Sequence, residues 1–288
     1  MRTTNTLQFL KVILFALVVT TTIGCQDAKP SKEIPSKFYT DSIYSESLQG
    51  YRKHNVYLPK DFDRNKSYPI IYGTDGEESL KDSFIKPALD SLIDSNSIVP
   101  VIYIGSHSNT NEIPGSTIQT ADGQTFALHY RFFEYVETNN PGGSMPGTEN
   151  LFANHMSYFK EELISKVESD FNQKLTPEDR IFYGYSNGAG FGANLLNKHP
   201  DLIGTFICYS TLGSNVASNQ WNSNTKYPDL YLQYGDQETG GYTDEPKLLR
   251  EKYQESGSNV ELKVYEGGHE IDKWNEEFVK TIAEILKP

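Results

Sequence analysis

Short apolar runs alternate with longer amphipathic segments along most of the chain, and this pattern predicts strands that alternate with helices. The predicted strands are residues 52–58, 68–72, 99–104, 180–183, 203–209, 230–234 and 260–265. The predicted helices are residues 85–93, 149–171, 188–198, 248–253 and 273–286. Such alternation predicts an α/β fold with a mostly parallel central sheet and helices on both faces. The alternating first strand is typical of antiparallel pairing, so we expect a mixed sheet.

Residues 105–147 interrupt this alternation. They are rich in Ser, Thr, Asn and Gly, and they are too long for a simple connection between two elements. Loops of this length within a domain are usually functional or mobile. We therefore expect a long loop here.

The first 24 residues are typical of a secretory signal peptide. Arg2 and Lys11 provide a charged start, and the apolar stretch 12–19 is shorter than the roughly 20 residues that a membrane-spanning helix needs. The next residues, ending in Gly24-Cys25, resemble the lipobox of bacterial lipoproteins, in which the cysteine is lipidated and becomes the new N-terminus. An ordinary cleaved signal peptide with a chance cysteine is the alternative.

This interpretation divides the chain into three parts. Residues 1–24 are the predicted lipoprotein signal peptide, residues 25–37 a flexible, polar tether, and residues 38–288 one folded domain. A lipid on Cys25 would hold the protein at a membrane without spanning it. The predicted location is the bacterial cell envelope, on the periplasmic or the outer-membrane face.

Composition and charge exclude several classes of protein. With 37% hydrophobic and 12% aromatic residues, the chain can bury a sizeable core and is not wholly disordered. Its 26 basic against 38 acidic residues give a net charge of −12, which argues against a nucleic-acid partner. If Cys25 carries a lipid, Cys208 has no partner for a disulfide.

The sequence Gly184-Tyr185-Ser186-Asn187-Gly188 is a G-x-S-x-G pattern between a predicted strand and a predicted helix. This context is typical of a nucleophile elbow, in which small neighbours leave room for a serine on a strained turn. A glycine-rich turn with a capping serine is the alternative. We predict that Ser186 is a nucleophile.

A serine nucleophile needs a base that accepts its proton. The chain has six histidines, which are His54, His107, His129, His155, His199 and His269. His269 follows the last predicted strand and precedes the last helix, where the base of such a fold is expected. The other five are interpreted as ordinary histidines, and none has spacing that indicates a metal site.

The third group should be an acid that orients the imidazole. It is expected after a strand that lies between the serine and the histidine in the sequence. Asp236 and Glu238 both follow the predicted strand 230–234. Asp244 and Glu245 are more typical of the first turn of the next helix, where acids suit the helix dipole.

Several motifs in order resemble one known family. They are Tyr68-Pro69-Ile70-Ile71-Tyr72 with Asp75-Gly76, Arg131-x-x-Glu134-Tyr135, the Ser186 elbow and Gly267-Gly268-His269. Over about residues 40 to 287 the chain resembles the putative-esterase family of α/β-hydrolases. That family includes enterochelin esterases, feruloyl and acetyl-xylan esterases, S-formylglutathione hydrolase and mycolyltransferases. The resemblance implies the α/β-hydrolase fold and an esterase.

The resemblance also implies roles for particular residues. In feruloyl esterases of this family the acid stands three residues after a strand-end glycine, which corresponds here to Glu238 after Gly235. Family members usually have Asp there, and some siderophore esterases work with a Ser–His pair alone. The oxyanion hole of such folds uses the N–H after the nucleophile and one from a loop after an early strand, which points to Asn187 and to Gly76 or Glu77.

Taken together, these features predict a membrane-tethered serine esterase. Its substrate would be a carbohydrate ester of feruloyl or acetyl type, or a siderophore ester. No cofactor is expected, because a proton shuttle and backbone donors suffice for ester hydrolysis. The alternatives are a lipoprotein that binds glycan or siderophore without turnover, and an acyltransferase on the same fold.

Overall fold

Eight strands form the central sheet in a computed structural model of the chain, which describes residues 33–81, 84–119, 125–138, 145 and 147–288. The strands of this part are β1 (Lys37–Ser45), β2 (Gly50–Leu58), β3 (Ile70–Gly73), β4 (Ile102–Ser106), β5 (Ile118–Gln119), β6 (Thr125–Phe126), β7 (Arg180–Tyr185), β8 (Thr205–Tyr209), β9 (Asp229–Gly235) and β10 (Val260–Tyr265). The sheet has the order β1-β2-β4-β3-β7-β8-β9-β10, and β5 pairs with β6 separately. Strand β2 is antiparallel to β1 and β4, and the other pairs of the sheet are parallel. The prediction of a mixed, mostly parallel sheet is confirmed.

Helices cover both faces of this sheet. Within the described residues they are α1 (Gly76–Lys81), α2 (Ile85–Asp94), α3 (Tyr130–Tyr135), α4 (Leu151–Ser157), α5 (Ile164–Asp170), α6 (Asn187–Lys198), α7 (Gly241–Ser256) and α8 (Ile271–Ile285). Successive strand residues face opposite layers, as Ile181 and Phe182 of β7 show. Phe182 packs in the core under α4 to α7, whereas Ile181 packs in the core under α2 and α8.

Several local features differ from the sequence-based expectation, among them helix α1, which was not predicted. The segment predicted as a long loop contains the paired short strands β5 and β6 and the short helix α3, so that prediction is wrong there. The predicted helix 149–171 is three pieces, because a π-helical turn, Tyr158–Leu163, joins α4 to α5. Strand β1 was not predicted, because only two of its nine residues are buried and it therefore lacks an apolar run.

The described residues from Ile34 onward form one compact unit. Ile34 already exchanges backbone and side-chain hydrogen bonds with Asp61, at 2.9 and 2.8 Å. Across the described residues, no helix has the length and apolar character needed to cross a membrane. The predicted signal peptide and Cys25 lie outside the described residues.

Candidate active site

Ser186 lies on a sharp turn between β7 and α6. Its φ of 54° and ψ of −130° place it in a region that favours glycine. The flanking glycines are required by space, because a Cβ on Gly184 would lie 2.8 Å from the carbonyl oxygen of Gly188. The main chain of Ser186 is held from two sides, since its N–H donates to Tyr209 (2.9 Å) and its carbonyl accepts from Gly190 (3.1 Å). The hydroxyl is thus fixed at the carboxyl end of a central strand.

His269 stands between Ser186 and Glu238. Its Nε2 lies 3.1 Å from Oγ of Ser186, and its Nδ1 lies 2.5 Å from Oε1 of Glu238. The three residues follow β7, β9 and β10, whose parallel alignment brings their carboxyl ends to one edge of the sheet. With its proton on Nδ1, the imidazole donates to the carboxylate and leaves Nε2 free to accept the serine proton.

The carboxylate of Glu238 is buried and accepts three hydrogen bonds. Besides His269 at Oε1, the N–H of Gly235 (2.8 Å) and the hydroxyl of Ser210 (2.9 Å) donate to Oε2. Burial raises the pKa of Glu238, but the hydrogen bonds from His269, Gly235 and Ser210 together lower it below its ordinary value. Glu238 is therefore ionised near neutral pH and can stabilise a protonated imidazole.

The other candidate acids take different positions. Asp236 is exposed, and its Oδ1 accepts the N–H of Gly267 at 3.0 Å, so it holds the loop that carries His269. Asp244 is exposed in the first turn of α7, where the hydroxyl of Thr243 approaches it at 3.3 Å. Of the carboxylates in the described part of the chain, Glu238 is the one that hydrogen-bonds to the His269 ring.

Sequence reasoning missed the network that holds Glu238. Ser210, directly after β8, is buried with a φ of 47° and donates to the carboxylate. The indole N–H of Trp274, in α8, donates to Ser210 and to the hydroxyl of Tyr265, each at 2.9 Å. Tyr265 in turn donates to the carbonyl of Gly268 (3.0 Å), beside the base. The sequence signal that could have found Ser210 is its position directly after β8, the strand that pairs with the elbow strand β7.

The residues predicted for the oxyanion hole lie on two segments that meet at the elbow. Asn187 is the first residue of α6, where N–H groups have no partner within the helix. The loop after β3 passes against the elbow, since a Cβ on Gly188 would lie 2.3 Å from Oγ1 of Thr74. Gly76 then packs so closely on β4 that a Cβ there would lie 2.0 Å from the carbonyl oxygen of Gly105. Gly76 is the first residue of α1, and the alternative donor, Glu77, is the second.

Helix α3 holds that loop in place. Asp75 has a φ of 56°, and Arg131 donates to its two carboxylate oxygens at 2.5 and 2.9 Å. The N–H of Asp75 donates to the hydroxyl of Tyr135 at 3.2 Å. Burial lowers the pKa of Arg131, but the Asp75 carboxylate raises it above its ordinary value, so the ion pair persists at neutral pH. Glu134 anchors the helix itself by accepting two hydrogen bonds from Arg52.

A family model described as putative esterase matches residues 45–285. The chain belongs to this esterase family. The predicted family is thereby confirmed. The matched range includes Ser186, Glu238 and His269. A search of the curated proteins found no match.

Solved structures similar to this esterase have the same fold at low sequence identity. A ferulic acid esterase is 17% identical with a TM-score of 0.63, and the match covers 88% of this chain and 98% of that one. The enterochelin esterase from Shigella flexneri is 15% identical with a TM-score of 0.65, and the match covers 88% of this chain but 59% of that one. An S-formylglutathione hydrolase from Agrobacterium tumefaciens is 13% identical with a TM-score of 0.60, over 87% and 96% of the two chains. The predicted α/β-hydrolase fold is confirmed.

The remaining histidines of the esterase have local partners or lie in the core. Burial lowers the pKa of His107 and of His155 to about 4, so both are neutral near pH 7. His107 hydrogen-bonds to Asn55 at 3.1 Å, and His155 packs among aromatic rings. His129 contacts the carbonyl of Thr110 at 2.6 Å. In the part of the chain that the structure describes, no cluster of three or more His, Cys, Asp or Glu residues could hold a metal ion.

Proposed function

We propose that this esterase is a serine carboxylic-ester hydrolase that works through an acyl-enzyme on Ser186. The observation that carries the proposal is the continuous line of hydrogen bonds from Glu238 through His269 to Ser186 at a strained, glycine-flanked turn. A binding protein would have no use for a nucleophile, a base and a buried ionised acid in this geometry.

The reaction follows from the positions of these groups. His269 takes the proton of Ser186 at Nε2 while Oγ attacks the ester carbonyl carbon, and the carbonyl oxygen becomes an oxyanion. The N–H of Asn187 and the N–H of Gly76 or Glu77, at the start of α1, stabilise that charge. His269 then gives its proton to the alcohol oxygen as the ester bond breaks. A water molecule, deprotonated by His269, releases the acid from Ser186 in the second half of the cycle.

Glu238 has no direct part in bond making. It accepts the Nδ1–H of His269, holds the tautomer that leaves Nε2 free, and stabilises the imidazolium that forms when Ser186 attacks. Its burial strengthens this effect, because charges interact more strongly away from water.

For the substrate we propose a carbohydrate ester of feruloyl or acetyl type, with a siderophore ester as the second candidate. The support is the similarity to a ferulic acid esterase, of which this chain covers 98%, against 59% of the enterochelin esterase. The test is the kcat/KM of the purified full chain on methyl ferulate, acetylated xylan and a ferric-siderophore ester. We expect one class to exceed the others by about tenfold or more, since a fitted acyl pocket discriminates at that level. Turnover of none of them would contradict the proposed substrate class.

We further propose that Cys25 carries a lipid, that residues 25–33 tether the domain to a membrane, and that the protein works in the bacterial cell envelope; residues 34–37 are already held on the domain by hydrogen bonds of Ile34 and Ser36 and by the start of β1. The support is the signal-like segment and the lipobox-like residues before Cys25. A single fatty chain gives only marginal membrane binding, so stable anchoring needs a second chain or another membrane-binding signal.

The Cys25→Ser variant should lose metabolic labelling with palmitate and remain unprocessed or leave the membrane fraction. Cys208→Ala is the matched control, because Cys208 is a buried free thiol in β8 and its loss should leave labelling intact. Equal labelling of wild type and Cys25→Ser would contradict the anchor.

A further inference from the structure

Tyr242 stands beside the base of the site and has no role in the mechanism so far. Its ring centroid lies 4.2 Å from that of His269, with the two planes tilted by 45°. Trp274 packs edge-on against the same imidazole at 4.7 Å. Tyr242 therefore forms part of the wall around His269.

Two glycines that precede Tyr242 allow the backbone to place its side chain beside His269. Gly240, just before α7, has a φ of 63° and its carbonyl accepts the N–H groups of Thr243 and Asp244, each at 3.0 Å. Gly241 packs so closely on the segment after β8 that a Cβ would lie 2.5 Å from Cδ1 of Leu212. The N–H of Leu212 in turn donates to the carbonyl of Ser186 at 3.3 Å. The first turn of α7 is thus packed against the elbow.

Burial, and after it the charge of Glu238, raise the pKa of Tyr242 above its ordinary value, and the smaller influences of Ser186 and Arg131 lower it only in part. The phenol consequently keeps its proton at neutral pH, and it can act as a hydrogen-bond donor but not as a base.

We propose that the Tyr242 hydroxyl donates a hydrogen bond to the alcohol oxygen of the ester as that oxygen leaves; this inference rests on the hydrolytic function proposed above. His269 must reach both Oγ of Ser186 and the leaving oxygen, so the leaving group lies on the His269 side of the serine. The Tyr242 ring packs on His269, which places Tyr242 on that side of the serine. The oxyanion lies towards Asn187 and the loop after β3.

The step balances with one proton moved. When the tetrahedral intermediate collapses, the oxyanion electrons re-form the carbonyl and the bond from carbon to the alcohol oxygen breaks. The proton that His269 took from Ser186 passes from Nε2 to the alcohol oxygen. Tyr242 keeps its own proton throughout and stabilises the negative charge that develops on the alcohol oxygen before the transfer is complete.

The test compares Tyr242→Phe with wild type on two acetate esters that differ only in the alcohol. Ethanol leaves as a strongly basic alkoxide unless it is protonated, whereas p-nitrophenolate leaves without such help. We expect kcat/KM to fall by about tenfold or more on ethyl acetate and by less than about threefold on p-nitrophenyl acetate. The phenyl ring retains the packing on His269, so the difference reports the hydroxyl alone.

Two further variants separate the effect of the Tyr242 hydroxyl from that of its ring and from the loss of any tyrosine hydroxyl. Tyr51→Phe removes a hydroxyl from a side chain that is 76% exposed in β2, and it should change neither rate. Tyr242→Ala also removes the ring from His269 and should lower both rates. An equal loss on the two esters in Tyr242→Phe, or no loss on either, would overturn the leaving-group role. Activity retained by Ser186→Ala would instead overturn the proposed hydrolytic function, so the two failures are distinguishable.

Discussion

Replacing Ser186 with alanine is expected to lower kcat on any ester that the enzyme turns over by roughly 10³-fold or more. Without Oγ no acyl-enzyme can form, and His269, although still oriented by Glu238, has no serine proton to accept. The groups act as a unit, so the loss of one member removes most of the benefit of the others. The measurement is steady-state hydrolysis of p-nitrophenyl acetate by wild type and variant, prepared identically.

Ser165→Ala provides the matched control for this experiment. Ser165 is exposed in α5, and its hydroxyl can be removed without touching the site. The activity of the Ser165→Ala variant should equal that of wild type. If Ser186→Ala kept more than about a tenth of the wild-type rate, Ser186 would be a structural serine and the acyl-enzyme mechanism would be wrong.

The second large effect is expected at Glu238. Glu238→Gln should lower kcat by at least about tenfold with little change in KM, because the base remains present but is badly oriented. The glutamine amide can donate to Nδ1, which would favour the tautomer that carries its proton on Nε2. That proton occupies the position at which the Ser186 proton must be received. The measurement is a full saturation curve, so that kcat and KM are separated.

Asp236→Asn and Asp244→Asn are the matched controls for the acid. An asparagine at position 236 can still accept the N–H of Gly267 through its amide oxygen, and Asp244 is exposed on α7. Each should cost less than about threefold. A larger effect at either position would show that the acid is misassigned, and no effect at any of the three would show a Ser–His pair.

Most of the fold could be predicted because buried strands leave a clear signal. Strand β7 and its neighbours β3 and β8 are nearly continuous apolar runs, since both faces are covered. Strand β1 and helix α3 lack that signal. Seven of the nine residues of β1 are not buried, and α3 is held by polar contacts of Arg131 and Glu134. Hydrogen bonds and ion pairs between residues far apart in the sequence leave no periodic pattern of apolar residues, so such a pattern cannot predict them.

The residues of the candidate site likewise divide into those that the sequence predicts and those that it does not. Ser186 carries a local pattern, and the position of His269 follows from the order of elements. The choice of Glu238 over Asp236 required a resemblance to known esterases, because both acids follow the same strand. Ser210 and Tyr242 had no local pattern at all. Their places are set by the packing of α8 on Glu238 and of α7 on the elbow.

The strained turn at Ser186 has a consequence for the evolution of the family. A non-glycine residue at such backbone angles costs of order 1–3 kcal/mol, and every folded molecule bears that cost whether or not it meets an ester. Selection for stability alone would favour glycine at position 186, so only selection for turnover keeps a serine there. In relatives that have lost catalytic activity, we expect the serine at this position to be replaced early. A serine retained among diverged relatives would therefore indicate enzymes that are still active.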